Sequence, residues 1–397
     1  MSTSSSPARK RVLSGMRPTG KLHLGNYMGA LHNWVRLQDE YECYCFIADW
    51  HALTTDYADP SQLPANTREV MIDYLAAGLD PERSVLFVQS DVKVHAEFHL
   101  LLSMITPLGW LERVPSYKEQ QENLTGRDLS TYGFLGYPLL QAADILIYQA
   151  DFVPVGQDQV AHVELTREVA RRFNFFYPKN RARLTGAQDL PRAELHKANF
   201  PAALLPPGSS GAAVRSFTLE NIAEAFREGQ EILPEPQVLL TPSPKLPGTD
   251  GRKMSKSYGN AILLSDPEPE IRAKLKTMVT DPARVRRTDP GNPDKCPVGD
   301  LHKIFSSQET LAKAYAGCTT AGIGCIECKS WAADAIVSAL APIQERRVHF
   351  EQHPALVTDI FNDGARRATA RAEQTMHEVR SAMGLGSSLA AAPHLPS

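Results

Sequence analysis

"RVLSGMRPTGKLHLGNYMGALHNWV", residues 11–35, changes its period halfway along. Residues 11–16 form an apolar run of strand length, and the Pro-Thr-Gly turn at 18–20 ends it. Leu24, Tyr27, Met28, Leu31, Trp34 and Val35 then recur at helical spacing. A buried strand, a glycine-bearing turn and a helix follow one another. The same sequence of elements repeats downstream. "CYCFIA" (43–48) and "SVLFVQS" (84–90) read as buried strands, followed by helical patterning over 61–79 and 95–105. Such alternation predicts an α/β fold, a Rossmann-like parallel sheet with helices on its faces.

Farther along, "FLGYPLLQAADILIYQ" (134–149) is a mostly apolar helix, "DFVPVG" a short strand, and "QDQVAHVELTREVARRFN" an amphipathic helix. The pattern then breaks over about 181–230, where only "LENIAEAFREG" is a helical candidate, so this segment reads as an insertion. "PQVLL" (236–240) returns the chain to the sheet. Beyond residue 265 the patterning is helical, with "SWAADAIVSALAPIQERRV" and "ARRATARAEQTMHEVRSAM" as long amphipathic stretches. The expected organisation is a sheet domain over 11–265, a helical domain over 266–385, and disordered tails at 1–10 and 386–397.

With 397 residues, 43% of them hydrophobic, the chain has core enough for two or three domains. A formal net charge of -3 excludes a global positive field, so nucleic acid must be met by local basic patches. The polar start "MSTSSSPARKR" has no signal-peptide core, and no apolar run approaches a membrane span. A cytoplasmic location is therefore expected, with no membrane or DNA partner. In a reducing compartment the six cysteines are not a disulfide framework. Cys43 and Cys45 read as core thiols, whereas Cys296, Cys318, Cys325 and Cys328 cluster late in the chain.

Ligands of open parallel sheets bind beyond the carboxyl ends of the strands, which directs attention to the turn after the first strand. There His23 and Asn26 stand three apart at a helix start, and Gly25 permits close backbone approach. Neither a dinucleotide fingerprint nor a P-loop is present. "GRKMSKSYGN" (251–260) places Lys253 and Lys256 in a Gly- and Ser-rich loop suited to a transient anion. Together, "HLGN" and "KMSKS" resemble the two signatures of class I aminoacyl-tRNA synthetases. That resemblance implies that Lys253 and Lys256 hold the β- and γ-phosphates of ATP, with His23 and Asn26 assisting and Mg²⁺ carried on the phosphates. It also places Arg17, Pro18, Thr19, Gly25, Gly156, Gln157, Asp158, Met254, Ser255 and Ser257 around ATP.

"SGMRPTGKLHLGNYMGALHNW", "IADWHALTT", "GYPLLQAADILIYQADFVPVGQDQVAHVELTREVARRFN" and "LPGTDGRKMSKSYGN" together resemble the tryptophanyl-tRNA synthetase family. The implied activity is formation of tryptophanyl-adenylate from L-tryptophan and ATP, then transfer to tRNA(Trp). By this resemblance Asp144 meets the indole nitrogen, Tyr137 and Gln159 the amino and carboxylate groups, and His51 lies near the ring. An indole N–H only donates, which suits a carboxylate. Arg17 and Gln141 depart from common family residues. The rival readings are a tyrosyl enzyme and a non-catalytic metal-bearing nucleic-acid module.

The late cysteines have the spacing C-x21-C-x6-C-x2-C, which fits a 4Fe–4S cluster or zinc. A subset of bacterial members carries such a cluster with one residue more in the long loop, so the resemblance implies iron–sulfur, with zinc as the alternative. It further implies a homodimer, and tRNA contact through the helical domain, where "RVRRTDPGNPDK" and "ARRATARAE" supply positive charge.

Overall fold

The computed structural model describes residues 9–114, 129–179, 231–240 and 246–386. The expected insertion with its helical candidate, and nearly all of both expected tails, lie outside these residues.

Five strands, β1 (Arg11–Met16), β2 (Glu42–Ile47), β3 (Ser84–Val88), β4 (Phe152–Val155) and β5 (Gln237–Leu240), form one sheet in the order β3-β2-β1-β4-β5. β1 pairs with β2, and β2 with β3, in parallel. This is the α/β class expected from the alternating pattern. The order reverses direction at β1 and β4, so the loops after these two strands flank the switch point where such sheets bind ligands.

Two compact units make up the chain: Met1–Val92 with Pro154–Gln159 and Val238–Ala368, and Lys93–Val153 with Val160–Gln237 and Thr369–Ser397. In the first, β1 leads into a helical run α1 (24–37) that contains a π-helical turn, Tyr27–Leu31. Helices α2 (Asp49–Asp56) and α3 (Leu63–Ala77) follow β2. Val12, Leu13, the whole of β3 and residues 43–47 are buried, with the rings of Phe46 and Phe87 stacked 5.6 Å apart. Each Val, Leu, Ile or Phe side chain among them contributes about 1.5–3 kcal/mol by leaving water. Cys43 and Cys45 belong to this core, and burial pushes the Cys43 thiol up to about 12. Both are inert core thiols, as expected.

The helices past residue 265 also belong largely to this first unit, so the sequence boundary at 265/266 falls inside it. The first four of these, numbered on from α4–α6 described below, are α7 (Glu268–Thr277), α8 (Pro297–Phe305), α9 (Gln308–Thr319) and α10 (Cys325–Gln352), and α10 packs on α3, α7 and α8. The last helix, α11 (Pro354–Ala382), touches β3 at Gly364, where any Cβ would lie 1.7 Å from the carbonyl oxygen of Leu86. Only glycine admits that approach.

The second unit is helical: α4 (Val94–Ser103), α5 (Tyr132–Ile147) and α6 (Val160–Phe176), with α5 packed on both of the others. Asn174 on α6 ties down the returning chain, its Oδ1 accepting from the backbone N–H groups of Ile232 and Leu233, both at 3.1 Å. Among the described residues no helix is long and apolar enough to cross a membrane.

Candidate active site

His23 caps the first turn of α1. Its Nδ1 accepts from the Asn26 backbone N–H at 3.2 Å, and the Asn26 side-chain oxygen accepts from the His23 N–H at 3.2 Å. This reciprocal pair is a capping box. It settles the tautomer, because an accepting Nδ1 leaves the proton on Nε2. Burial, then the charges of Lys256 and Lys253, lower the His23 pKa to about 4. A neutral ring with an Nε2–H donor is the form present near neutral pH. His23 is thus a capping residue, with its Nε2–H left as a donor.

The first signature pairs through its backbone with the segment that follows the second. Leu24 N–H donates to the Ile262 carbonyl, and Leu264 N–H to the Leu22 carbonyl, each at 2.9 Å. Lys256 reaches over this seam, its Nζ donating to the Lys21 carbonyl at 3.0 Å. Half-burial lowers the Lys256 pKa to about 8, against the opposing pull of Asp73. Lys253 is exposed. Both lysines thus act on His23 from the one unit that holds them.

The lysine loop has an organiser that the sequence reading passed over. Asn260 is buried, and its Oδ1 accepts from Ser255 N–H at 2.8 Å while its Nδ2 donates to Asp250 Oδ1 at 2.7 Å and to the Lys253 carbonyl at 3.2 Å. Met254 is buried beneath the loop, while Ser255 and Ser257 bond to each other through their hydroxyls at 2.8 Å. After β1, Pro18 is buried, Thr19 is exposed, and Arg17 turns to the Thr55 hydroxyl on α2. Gly20 has a φ of +106°, and Lys256 Nζ lies 3.4 Å from where a Cβ would stand. A left-handed turn under a lysine requires glycine there. Gly156 follows β4, and Gln157, Asp158 and Gln159 form a single 3-10 turn closed by Gln159 N–H to the Gly156 carbonyl at 3.0 Å. His51 is buried on α2.

Tyr137 and Asp144 lie on α5 in the second unit. Asp144 is 1% exposed and does not stand alone: its Oδ1 is 2.6 Å from His95 Nδ1, and His95 Nε2 is 2.6 Å from the Tyr148 hydroxyl. A carboxylate only accepts, so the proton of the first bond sits on Nδ1. Tyr137 meets His162 Nε2 at 3.3 Å through its hydroxyl. His95, Tyr148 and His162 were missed by sequence reasoning. A histidine on the apolar stretch "VHAEFHLLL" was the available signal, but nothing local said which acid it would face.

The four late cysteines converge from three helices: Cys296 precedes α8, Cys318 is in the last turn of α9, and Cys325 and Cys328 open α10. Burial, and then Cys296, Cys318 and Cys325, push the Cys328 thiol up to about 12. Thiols that disfavour one another's ionisation share one locality. Among the described residues no three His, Cys, Asp or Glu side chains are grouped as holders of a single metal ion. Arg284, counted by the sequence reading in a basic patch, is buried, with Nη1 3.8 Å from Cys318 Sγ and Nη2 donating to the Ile323 carbonyl at 2.6 Å. In the second basic stretch Arg367 donates to the Pro81 carbonyl at 2.8 Å and Arg371 to Gln149 at 2.6 Å, while Arg366 is exposed.

The family described as tRNA synthetases class I (W and Y) matches residues 6–187 and 217–341. The tryptophan–tRNA ligase of Ralstonia nicotianae is 52% identical over 395 residues, covering 95% of this chain and 98% of that protein. That of Thermotoga maritima is 49% identical, covering 94% and 99%. Among solved structures, tryptophanyl-tRNA synthetase from Campylobacter jejuni, complexed with ADP and tryptophan, superposes with a TM-score of 0.74 at 28% identity, over 94% of this chain and 100% of that one. A tyrosyl-tRNA synthetase from Archaeoglobus fulgidus, at 20% identity and a TM-score of 0.55, shares the fold alone. Likeness over nearly the whole length to ligases of one amino acid separates the two branches that the fold does not, and the chain belongs to the class I tRNA synthetases, in the family of tryptophan–tRNA ligases.

Proposed function

We propose that the chain joins L-tryptophan to tRNA(Trp) in two steps, with the residues above in the following roles. The tryptophan carboxylate, already a nucleophile, attacks the α-phosphorus of ATP. The bond from that phosphorus to the bridging oxygen breaks, and pyrophosphate leaves. A terminal ribose hydroxyl of the tRNA then attacks the acyl carbon and AMP departs. No catalytic base is needed for the first step, so catalysis comes from alignment and from neutralising charge on the leaving pyrophosphate. Lys253 and Lys256 supply that charge, Mg²⁺ arrives on ATP as part of the substrate, and the His23 Nε2–H with Asn26 assists at the helix start. Gly25 and the segments 17–19 and 156–158 line the nucleotide. Asp144 accepts from the indole nitrogen, with His95 holding its carboxylate. Tyr137, Gln159 and His51 attend the rest of the amino acid.

The observation that carries this reading is the pairing of residues 22–24, at the start of the first signature, with 262–264, just after the second, and Lys256 of the second signature reaching back over that seam to Lys21. ATP–pyrophosphate exchange with each amino acid in turn tests it. Exchange driven by tryptophan alone is the expected result, and exchange with tyrosine would overturn the indole assignment.

Four thiol donors from three helices, beside a buried guanidinium, suit a 4Fe–4S cluster held by Cys296, Cys318, Cys325 and Cys328, and zinc is the alternative. Bound there, either group ties α8, α9 and α10 together, with the ionised thiols stabilised by the metal's charge. Protein purified without oxygen is expected to be brown with about four iron and four sulfide per chain, as that cluster requires. Colourless protein with about one zinc per chain selects the alternative. The reading extends to a cytoplasmic homodimer whose segment 266–385 meets the tRNA anticodon.

A further inference from the structure

Arg347 lies on α10, far in sequence from either signature, yet it is 3% exposed and spends its guanidinium on three acids. It pairs with Asp73 and Glu69 on α3 and lies 2.9 Å from Glu351 on its own helix. Asp73 is fully buried, and its second oxygen accepts the backbone N–H of Leu22, the neighbour of His23, at 2.8 Å. One turn earlier on α10, Gln344 donates to the carbonyls of Leu264 and Asp266 at 3.0 and 2.8 Å. Leu264 in turn donates to the Leu22 carbonyl at 2.9 Å. Both backbone polar groups of Leu22 thus reach α10 through a single intermediary each.

A buried ion pair by itself says little, because its desolvation offsets much of its attraction. What distinguishes this one is the direction of its remaining oxygen. Arg347 takes one oxygen of Asp73, and the other ends on the backbone of Leu22, the residue just before the His23 cap. Burial lifts the Asp73 pKa to about 6 despite Arg347, so the carboxylate still accepts as an ion near neutral pH. The amide of Gln344 reaches the other backbone group of Leu22 by way of Leu264.

We propose that Arg347 and Gln344 are positioning residues for ATP: α10 holds the 22–24 segment so that the His23 Nε2–H stands where the transferring phosphate passes. This rests on the role given to His23 above. Misplacement of a catalytic group by about 1 Å costs on the order of 10²-fold in rate.

The test is a double-mutant cycle in ATP–pyrophosphate exchange on the full chain. Gln344→Ala removes one amide and leaves every buried charge paired, so it keeps the fold even if Arg347→Ala does not. Its kcat is expected to fall about tenfold, a loss of transition-state alignment, with KM for tryptophan within about twofold. Arg347→Lys, which keeps the charge without the fork, is expected to fall less than Arg347→Ala. In a His23→Ala background, Gln344→Ala is expected to add little. Full additivity, or equal losses in kcat and thermal stability with no split between kcat and KM, would overturn the brace. If His23→Ala alone leaves exchange unchanged, the role of His23 falls and the brace with it. If His23→Ala slows exchange while Gln344→Ala does not, the brace alone fails.

Discussion

The lysine loop and the Asp144 cluster solve opposite problems. Lys253 is exposed and Lys256 half-buried, held by one bond to a carbonyl, whereas Asp144, His95 and Tyr148 are each at most 1% exposed and bonded in series at 2.6 Å. In the roles proposed above, additional charge develops on pyrophosphate during the reaction, so the groups that meet it must be free to move onto it and away. Recognition of an indole nitrogen would be the same before and after, so its acceptor gains from being fixed. Burial also sharpens selection, because a substrate lacking the indole N–H gives a desolvated carboxylate less compensation for its burial.

The largest expected break of this contrast is Lys256→Ala. Adenylate formation should slow on the order of 10²–10³-fold, as for loss of one preorganised charge in a transition state, with tryptophan affinity nearly unchanged. Single-turnover kinetics beside equilibrium binding read the two separately; matched losses would end the proposed role. Lys253→Ala should follow more mildly, since that side chain is exposed.

Next in size is Asp144→Asn, which retains an acceptor but loses the charge that His95 and an indole N–H both favour. Selectivity for tryptophan over tyrosine is expected to fall about 10²-fold while the fold remains, as judged by circular dichroism. His95→Gln should lose about tenfold in kcat/KM for tryptophan, by loosening the carboxylate without removing it. Unchanged selectivity in both variants would mean that the indole nitrogen is read elsewhere.

Asn260→Ala sharpens the contrast from the other side. It deletes the side chain that orders the lysine loop and leaves Ser255 N–H without its acceptor, a cost of about 1–3 kcal/mol. The KM for ATP is expected to rise several-fold more than that for tryptophan, and comparison of the two constants decides it.

The smallest effect is a pH limb. Because the Lys256 pKa is lowered to about 8, its charge is lost as pH rises through that value, and kcat/KM for ATP should be about half its plateau there. The same shift acts oppositely on folding, since a lysine depressed from 10.5 makes the folded state gain stability as pH rises from about 8 to 10.5. His23 contributes at the acid end: with its pKa lowered from 6.5 to about 4, stability is lost as pH falls across that interval. A pH–rate profile without a break near 8 would remove burial of Lys256 from the account.

Much of this protein is legible in local pattern. The period change at residues 16–24 announces strand, turn and helix, and the strands at 43–48, 84–90, 151–156 and 236–240 fall within a residue or two of the observed ones. His23, Asn26, Lys253 and Lys256 stood out because each pair sits three apart in a short stretch that resembles a family signature. Sequence also grouped the four late cysteines. It misjudged Arg284, whose neighbours Arg286 and Arg287 are exposed while it turns inward. Charge runs do not tell which member is buried.

What the sequence alone determined is therefore whatever depends on neighbours along the chain: the period of each element, the glycine turn, and the two signatures. Tertiary structure decided the rest. It set Asp144 against His95, 49 positions away, Asp73 against Arg347, 274 positions away, and Lys256 against Lys21, 235 positions away. Those pairings follow from which helix faces pack together, and packing is a property of the whole core. A buried acid in "VMIDYLAAG" or a histidine in "VHAEF" declares that a partner must exist, since an unpaired buried charge is too costly to persist, but only the folded chain says where that partner is.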